Sequence, residues 1–394
     1  MRPCRFETIR SESILPSMGK TVCLLCICTC LALIAGVSYG ESNCRYFWVS
    51  RDALAHPDSL DRLLQRAEAA GANGLVVQVV GRGEAYYRSD ILPRAPYSGY
   101  DDPLAYLISR AKPRGMEVHA WINAFLVWSA PREPSDSGHV WHTHPEWFMS
   151  HVSGRSTRDF SGSEAEAAGI VGATLSPALP GVRAFIASIA LEIALKYQVE
   201  GIHLDYIRYP NTSFGYEPIA VSMFFNETGF LPAQAPDLWA AWRADQVTMT
   251  VETVRFRLNS AAPATLLSCA VMANPVTASS EFASPWQEWL ARGLVDFVCP
   301  MAYTTESSRA LELARSTTAA NPSDVVYGVA VYNQSVTGAL TGASEALARG
   351  AGGVCVYSLN SLPPGGEAVL RAFWGTGSPE HEYGPHLFHM VVAP

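Results

Sequence analysis

Residues 201–210 read GIHLDYIRYP. A short, mostly apolar run climbs to one acid, Asp205, and Tyr206, Arg208 and Tyr209 follow at once. An unbroken run of this length predicts a strand buried on both faces, as strands of parallel sheets are. Asp205 then stands at the C-terminal end of that strand. Just upstream, Pro180 opens a stretch in which Val182, Phe185, Ile186, Ile189 and Ile193 recur at steps of three and four. That spacing predicts a helix over 181–197 with one apolar face.

The same unit recurs in both directions along the chain. Strand-like runs occur at 45–50 (RYFWVS), 73–80 (NGLVVQVV), 116–123 (MEVHAWIN), 200–205 (EGIHLD), 265–273 (TLLSCAVMA), 295–303 (VDFVCPMAY), 325–332 (VVYGVAVY) and 352–359 (GGVCVYSL). Helical patterns lie between and after them, at 58–70, 103–114, 181–197, 236–259, 283–292, 306–319, 337–349 and 364–373. Eight strands alternating with eight helices predict an α/β chain folded as a (β/α)8 TIM barrel over residues 41–374. It exceeds the usual ~250 residues through loop insertions. A doubly wound open sheet shares the alternation. No GxGxxG follows the first strand and no GxxxxGK[ST] occurs anywhere, so no nucleotide or other cofactor is expected. The longest connection, about 124–178 after the third strand, is rich in Ser, Gly, Pro, His and Trp, which favours a functional loop. Residues 375–394 read as a C-terminal tail.

The N-terminus has a different character. Lys20 precedes 16 uncharged residues, Val22 to Val37, and the small residues of SYG follow. This is the pattern of a signal peptide over residues 1–40. The run is short of the roughly 20 apolar residues of a membrane span. An uncleaved anchor is the alternative, and it would be the chain's contact with a membrane. The chain carries a formal charge of −8 and its basic residues are scattered, which argues against nucleic acid. Beyond residue 40 the cysteines are Cys44, Cys269, Cys299 and Cys355. The last three sit inside apolar runs and read as small buried hydrophobes.

Barrel active sites lie at the C-terminal strand ends, so polar residues there are the site candidates. The second strand offers Gln78, Arg82, Glu84 and Tyr86; the third, His119, Trp121 and Asn123; the fourth, His203, Asp205, Arg208 and Tyr209. The sixth offers Tyr303 and Glu306, the seventh Tyr332 and the eighth Tyr357. Carboxylates, aromatics and amides on one rim suit a sugar, with its apolar ring faces and fringe of hydroxyls. Glycosidic cleavage uses two carboxyl groups. Asp205 is the first candidate, and Glu84 and Glu306 compete for the second role. The plainer readings are a loop-pinning salt bridge between Asp205 and Arg208, and a solvated loop acid for Glu84. Asp296 sits at a strand start and reads as a stability residue. His139, His142 and His144 in HVWHTHPEW are closely spaced, but no acids complete a ligand set, so no metal is expected.

These motifs occur in order in a known family: FWVSRD, VVQVVGRGEAYYRSD, DPLAYLISRAKPRGMEVHAWINAF, HPEWF, and LSPALPGVRAF running on to GIHLDYIRYP, then VDFVCPMAY and GAGGVCVYSL. Over about residues 45–360 the chain resembles the glycoside-hydrolase-like barrel family of bacterial envelope proteins, long catalogued as a domain of unknown function. The resemblance implies a (β/α)8 barrel, export to the envelope and hydrolysis of a glycan. Some members are similar to enzymes that cleave peptide-free peptidoglycan strands. Carried over by motif, the acid of HLD falls on Asp205 and the acid after the second strand on Glu84. Many relatives carry two adjacent acids after HL, where this chain has Asp205-Tyr206, and many have Asp at the place of Glu84. The expectation is therefore a secreted or periplasmic glycoside hydrolase with a polysaccharide substrate, peptidoglycan glycan strands leading. Asp205 is its catalytic acid. The alternative is a non-catalytic glycan-binding barrel of the envelope, favoured by the missing second adjacent acid.

Overall fold

The computed structural model describes residues 44–375. The leader expected over 1–40 lies outside the described residues, as does the expected tail apart from Gly375. The eight barrel strands are β1 Cys44–Val49, β2 Gly74–Gly81, β3 Glu117–Asn123, β4 Gly201–Asp205, β5 Leu266–Met272, β6 Phe297–Met301, β7 Val326–Ala330 and β8 Gly353–Tyr357. Each pairs in parallel with the next, and β8 pairs with β1 (Cys44 opposite Gly353), which closes the barrel. Closure excludes the open doubly wound sheet.

The outer helices are α1 Pro57–Ala70, α2 Pro103–Ala111, α3 Pro180–Tyr197, α4 Pro236–Ala261, α5 Trp286–Ala291, α6 Ser307–Thr317, α7 Val336–Ala348 and α8 Gly366–Gly375. Their ends follow local chemistry. The Asp102 carboxylate accepts the Ala105 N–H and caps α2. That helix gives way to a 3-10 turn at Lys112–Arg114, where Pro113 has no N–H to donate. Gly71, at φ 80°, ends α1 in the left-handed conformation that glycine adopts freely. Among the described residues no helix is long and apolar enough to cross a membrane.

Strand parity divides the core. Tyr46, Trp48, Val76, Trp121, Ala270, Phe297, Cys299 and Cys355 fill the barrel interior, while alternate strand residues pack outward on the helices. His203 and Asp205 are two residues apart, so both point inward, with Asp205 at the upper end. The same parity stacks His119, Trp121 and Asn123 on β3. At the opposite end of the barrel Asp296 binds Arg255 at 2.7 Å and accepts the Leu267 N–H at 2.6 Å, as a stability residue should.

Two insertions rise over the C-terminal face. The first, after β3, is closed at its base by an antiparallel pair, Leu126–Trp128 with Ala173–Thr174. The second, between β4 and α4, carries a helix at Pro218–Thr228 that the sequence reading did not anticipate. Its Phe224 packs with Trp239 and Trp242 into a small separate core. Glu217 anchors the second insertion to the first, accepting the Ser150 N–H and the Ser176 hydroxyl.

Candidate active site

At the upper end of the barrel a cavity of about 510 Å³ opens between the insertions. Asp205 is the one carboxylate among its described lining residues, with Arg51 and Arg208 as cations. Trp48, Trp121, Tyr206, Tyr303, Tyr332 and Tyr357 supply aromatic surface, and Gln78 and Asn123 supply amides.

Asp205 is 8% exposed. Burial pushes its carboxyl up from the ordinary 3.8 to about 6; the Tyr206 N–H, the Arg208 charge and Trp121 pull the other way and do not win. The Tyr206 N–H donates to Asp205 Oδ1 at 2.7 Å. Tyr206 has φ 52°, uncommon for a residue with a Cβ. The turn aims that N–H back at the carboxyl and puts the Tyr206 ring into the cavity wall. A carboxyl near 6 is partly protonated at neutral pH and can serve as a general acid.

Beside it runs an amide network. Asn123 lies opposite Asp205 in the β3–β4 ladder. Its Oδ1 accepts from Trp121 Nε1 at 3.0 Å and from Gln78 Nε2 at 3.2 Å, while Gln78 Oε1 accepts the Arg51 N–H at 3.3 Å. With Oδ1 doubly engaged, the Asn123 amide N–H group is left as the donor for a ligand. The opposite wall is aromatic. Tyr303 and Tyr357 stack at 5.4 Å and 24°, Tyr332 meets both edge-on, and Trp48 packs edge-on beneath them. Tyr332 is 56% exposed and stands at the mouth.

The structure thus gathers eight of the sequence candidates in one cavity: Asp205, Gln78, Trp121, Asn123, Arg208, Tyr303, Tyr332 and Tyr357. Arg82 and Glu84 stand beside it on a tight hairpin that extends β2. Arg82 and Gly83 both have positive φ, as a two-residue turn requires, and Gly81 pairs with Glu84. Arg82 Nε donates to Ser129 Oγ at 3.2 Å, and Ser129 lines the cavity. Glu84 is half-buried; burial raises its carboxyl, and Arg51 and Arg82 hold it back.

Five candidates lie elsewhere. His119 sits four residues below Asn123, about 13 Å down the strand at 3.3 Å per residue. Its ring is fully buried between Tyr46 and Phe297, so the barrel core separates it from the cavity. His203 is one layer below Asp205. Trp48 Nε1 donates to its Nε2 at 3.3 Å, and its Nδ1 pairs with Ser268 Oγ at 2.9 Å. Burial lowers its pKa to about 3, so it is a neutral prop for Trp48 rather than a ligand contact. Tyr209 is fully buried against Gly215 and Arg243, beneath the second insertion. Tyr86 is buried beside Tyr97. Glu306 is exposed at the N-cap of α6, because β6 ends at Met301 and the chain has already turned away.

Sequence reasoning missed Trp48, Arg51 and Tyr206. The first two lie at the end of β1 in FWVSRD, and the strand-end rule applied to β1 finds them. The close approach of Arg51 to β2 depends on Gly81: a Cβ there would lie 2.6 Å from Arg51 Nη1. The three loop histidines diverge. His139 Nε2 pairs with the Arg82 carbonyl at 2.8 Å, His142 Nε2 with the Pro134 carbonyl at 2.7 Å, and His144 stacks on Trp147 at 3.7 Å. Among the described residues no group of three or more His, Cys, Asp or Glu is placed to hold a metal ion.

The fold has counterparts in known proteins. A family model described as "Glycosyl hydrolase-like 10" matches residues 45–337. Glycosyl hydrolase DigH of Escherichia coli (strain K12) is 26% identical over 296 residues, 65% of this chain and 62% of that protein. Glycosyl hydrolase YngK of Bacillus subtilis (strain 168) is 22% identical over 287 residues, 65% of this chain and 51% of that protein. The chain therefore matches between half and two thirds of the length of these relatives. Among solved structures, the PgaB (BpsB) glycoside hydrolase domain from Bordetella bronchiseptica superposes with a TM-score of 0.62. That match has 16% identity and covers 83% of this chain and 97% of that one, a likeness of fold. With most of the barrel inside the family match, the chain belongs to the glycosyl hydrolase-like 10 family.

Proposed function

We propose that the protein is an exported glycoside hydrolase that cleaves a polysaccharide, with peptidoglycan glycan strands as its substrate. The observation that carries this reading is Asp205: a buried carboxyl near 6 on the floor of an aromatic cavity. In this reading Asp205 protonates the glycosidic oxygen of the leaving sugar. Tyr303, Tyr357 and Trp121 hold the sugar faces, and the free N–H group of Asn123 binds a hydroxyl. Family membership and the names of the relatives support the reaction class. The basic and apolar N-terminal run supports export.

The second carboxyl of the pair comes from outside the cavity wall. Glu84, on the hairpin beside Arg51, is the sequence candidate; Asp52, exposed after Arg51 and acting on the Tyr357 hydroxyl together with Asp205, is the other acid near the mouth. One observation favours a second reading: Asp205 has no carboxylate partner among the described lining residues. A barrel that binds glycan without cutting it would have this appearance. Incubation with peptide-stripped peptidoglycan and mass analysis of the products decides between the two. New reducing ends that vanish with Asp205→Asn support the hydrolase; glycan retention without new ends over long incubation supports the binding barrel.

A further inference from the structure

We infer that the cavity takes a sugar bearing a free carboxylate, and that Arg208, with Arg51 in the same lining, is the residue that reads it. The inference rests on the glycan reading above and adds the chemical class of the sugar.

Arg208 is a half-buried cation with few partners. Its guanidinium lies over the rings of Tyr206 (5.3 Å) and Phe282 (5.1 Å). Nη1 makes one long bond, 3.4 Å, to the Tyr209 carbonyl. Nε is buried and has no hydrogen-bond partner. A guanidinium carries five N–H donors, and buried charges are ordinarily paired. Asp205 is the carboxylate whose charge acts on Arg208. Yet no ion pair within 4.0 Å joins them, and Asp205 Oδ1 already takes the Tyr206 N–H.

Arg51 reaches the same cavity from β1 along Gly81, and among the described residues it too lacks an ion pair within 4.0 Å. Both arginines line the cavity with Tyr206, and the charges of both act on its hydroxyl. The cavity thus presents two guanidinium forks without an ion pair, beside Asp205 and an aromatic wall. A planar carboxylate matches such a fork with two parallel N–H···O bonds. A neutral sugar leaves both cations unpaired, and an amino sugar with a free ammonium is repelled.

The carboxylate can sit on the sugar ring, as in a uronic acid, or on an ether arm, as in the lactyl group of a peptide-free peptidoglycan strand. Calorimetry distinguishes them, using the full chain with Asp205→Asn so that ligand survives. The probes are peptide-free peptidoglycan oligosaccharides, oligouronides, and each of these after reduction of its carboxylates to alcohols. One carboxylate form should bind about tenfold or more tighter than its reduced form, and the arm that shows the ratio identifies the source. Arg208→Gln should bring the ratio close to one, and Arg208→Lys should keep part of it. Equal binding of the carboxylate and reduced forms, or a ratio that survives Arg208→Gln, overturns the inference. If Arg208→Gln fails to fold, the parent ratio and the Lys variant still decide. Binding of none of the four glycans fails the glycan reading itself and takes the inference with it.

Discussion

Replacing Asp205 by Asn removes the acid of the cavity and keeps its shape, and the structure fixes what should follow. As general acid its loss should lower kcat by about 10²–10⁴. Stability should move the other way. The folded carboxyl titrates near 6 against an ordinary 3.8, with burial as the main cause. A carboxyl with a raised folded pKa contributes its full stability below about 3.8, and that contribution is lost as pH rises through 6. At 1.36 kcal/mol per pK unit, the wild type carries a penalty of about 3 kcal/mol at pH 7. The Asn variant escapes it, and its side-chain oxygen can still accept the Tyr206 N–H. For a domain of roughly 330 residues, with an unfolding entropy of about 2.1 cal/mol/K per residue, this amounts to about 4 °C in Tm. Thermal unfolding of both proteins from pH 4 to 7.5 checks it: the variant should gain with rising pH and lose its advantage near pH 4. A difference that stays constant across that range, or a variant less stable at pH 7.5, refutes the buried-acid reasoning. Wild-type cleavage by the variant refutes the catalytic assignment.

Other outcomes test the surrounding parts. Wild-type kcat/KM should fall about tenfold per pH unit above 6, as Asp205 loses its proton; a profile flat to pH 8 removes it as the general acid. Glu84→Gln should cost at least about a hundredfold in kcat with little change in KM, and an unchanged kcat shifts the search to Asp52. Gly81→Ala should displace the Arg51 guanidinium and raise KM severalfold in steady-state assays, because a Cβ there meets Nη1 at 2.6 Å. Tyr332→Ala should raise KM by about three- to tenfold, the worth of one aromatic contact, with Tm nearly unchanged because the ring is 56% exposed.

The sequence by itself determined the barrel and its principal acid. Eight buried apolar runs alternating with helical patterns carry their own periods, and period is a local property that a chain displays without its neighbours. Strand parity and the end of the apolar run placed Asp205, and the same rule placed Trp121, Asn123, Tyr303 and Tyr357. Depth within the barrel was not legible. His119 and His203 share the inward face with Asn123 and Asp205, but rise along the strand puts them below the cavity. Nor was the direction of the chain after a strand: Glu306 follows β6 and is carried out to solvent, while Arg51 follows β1 and is turned in across Gly81. These are decided where distant segments meet. Only the closed barrel brings Arg51, Arg208 and Asp205 into one cavity, and only burial there lifts the acid of GIHLDYIRYP to about 6.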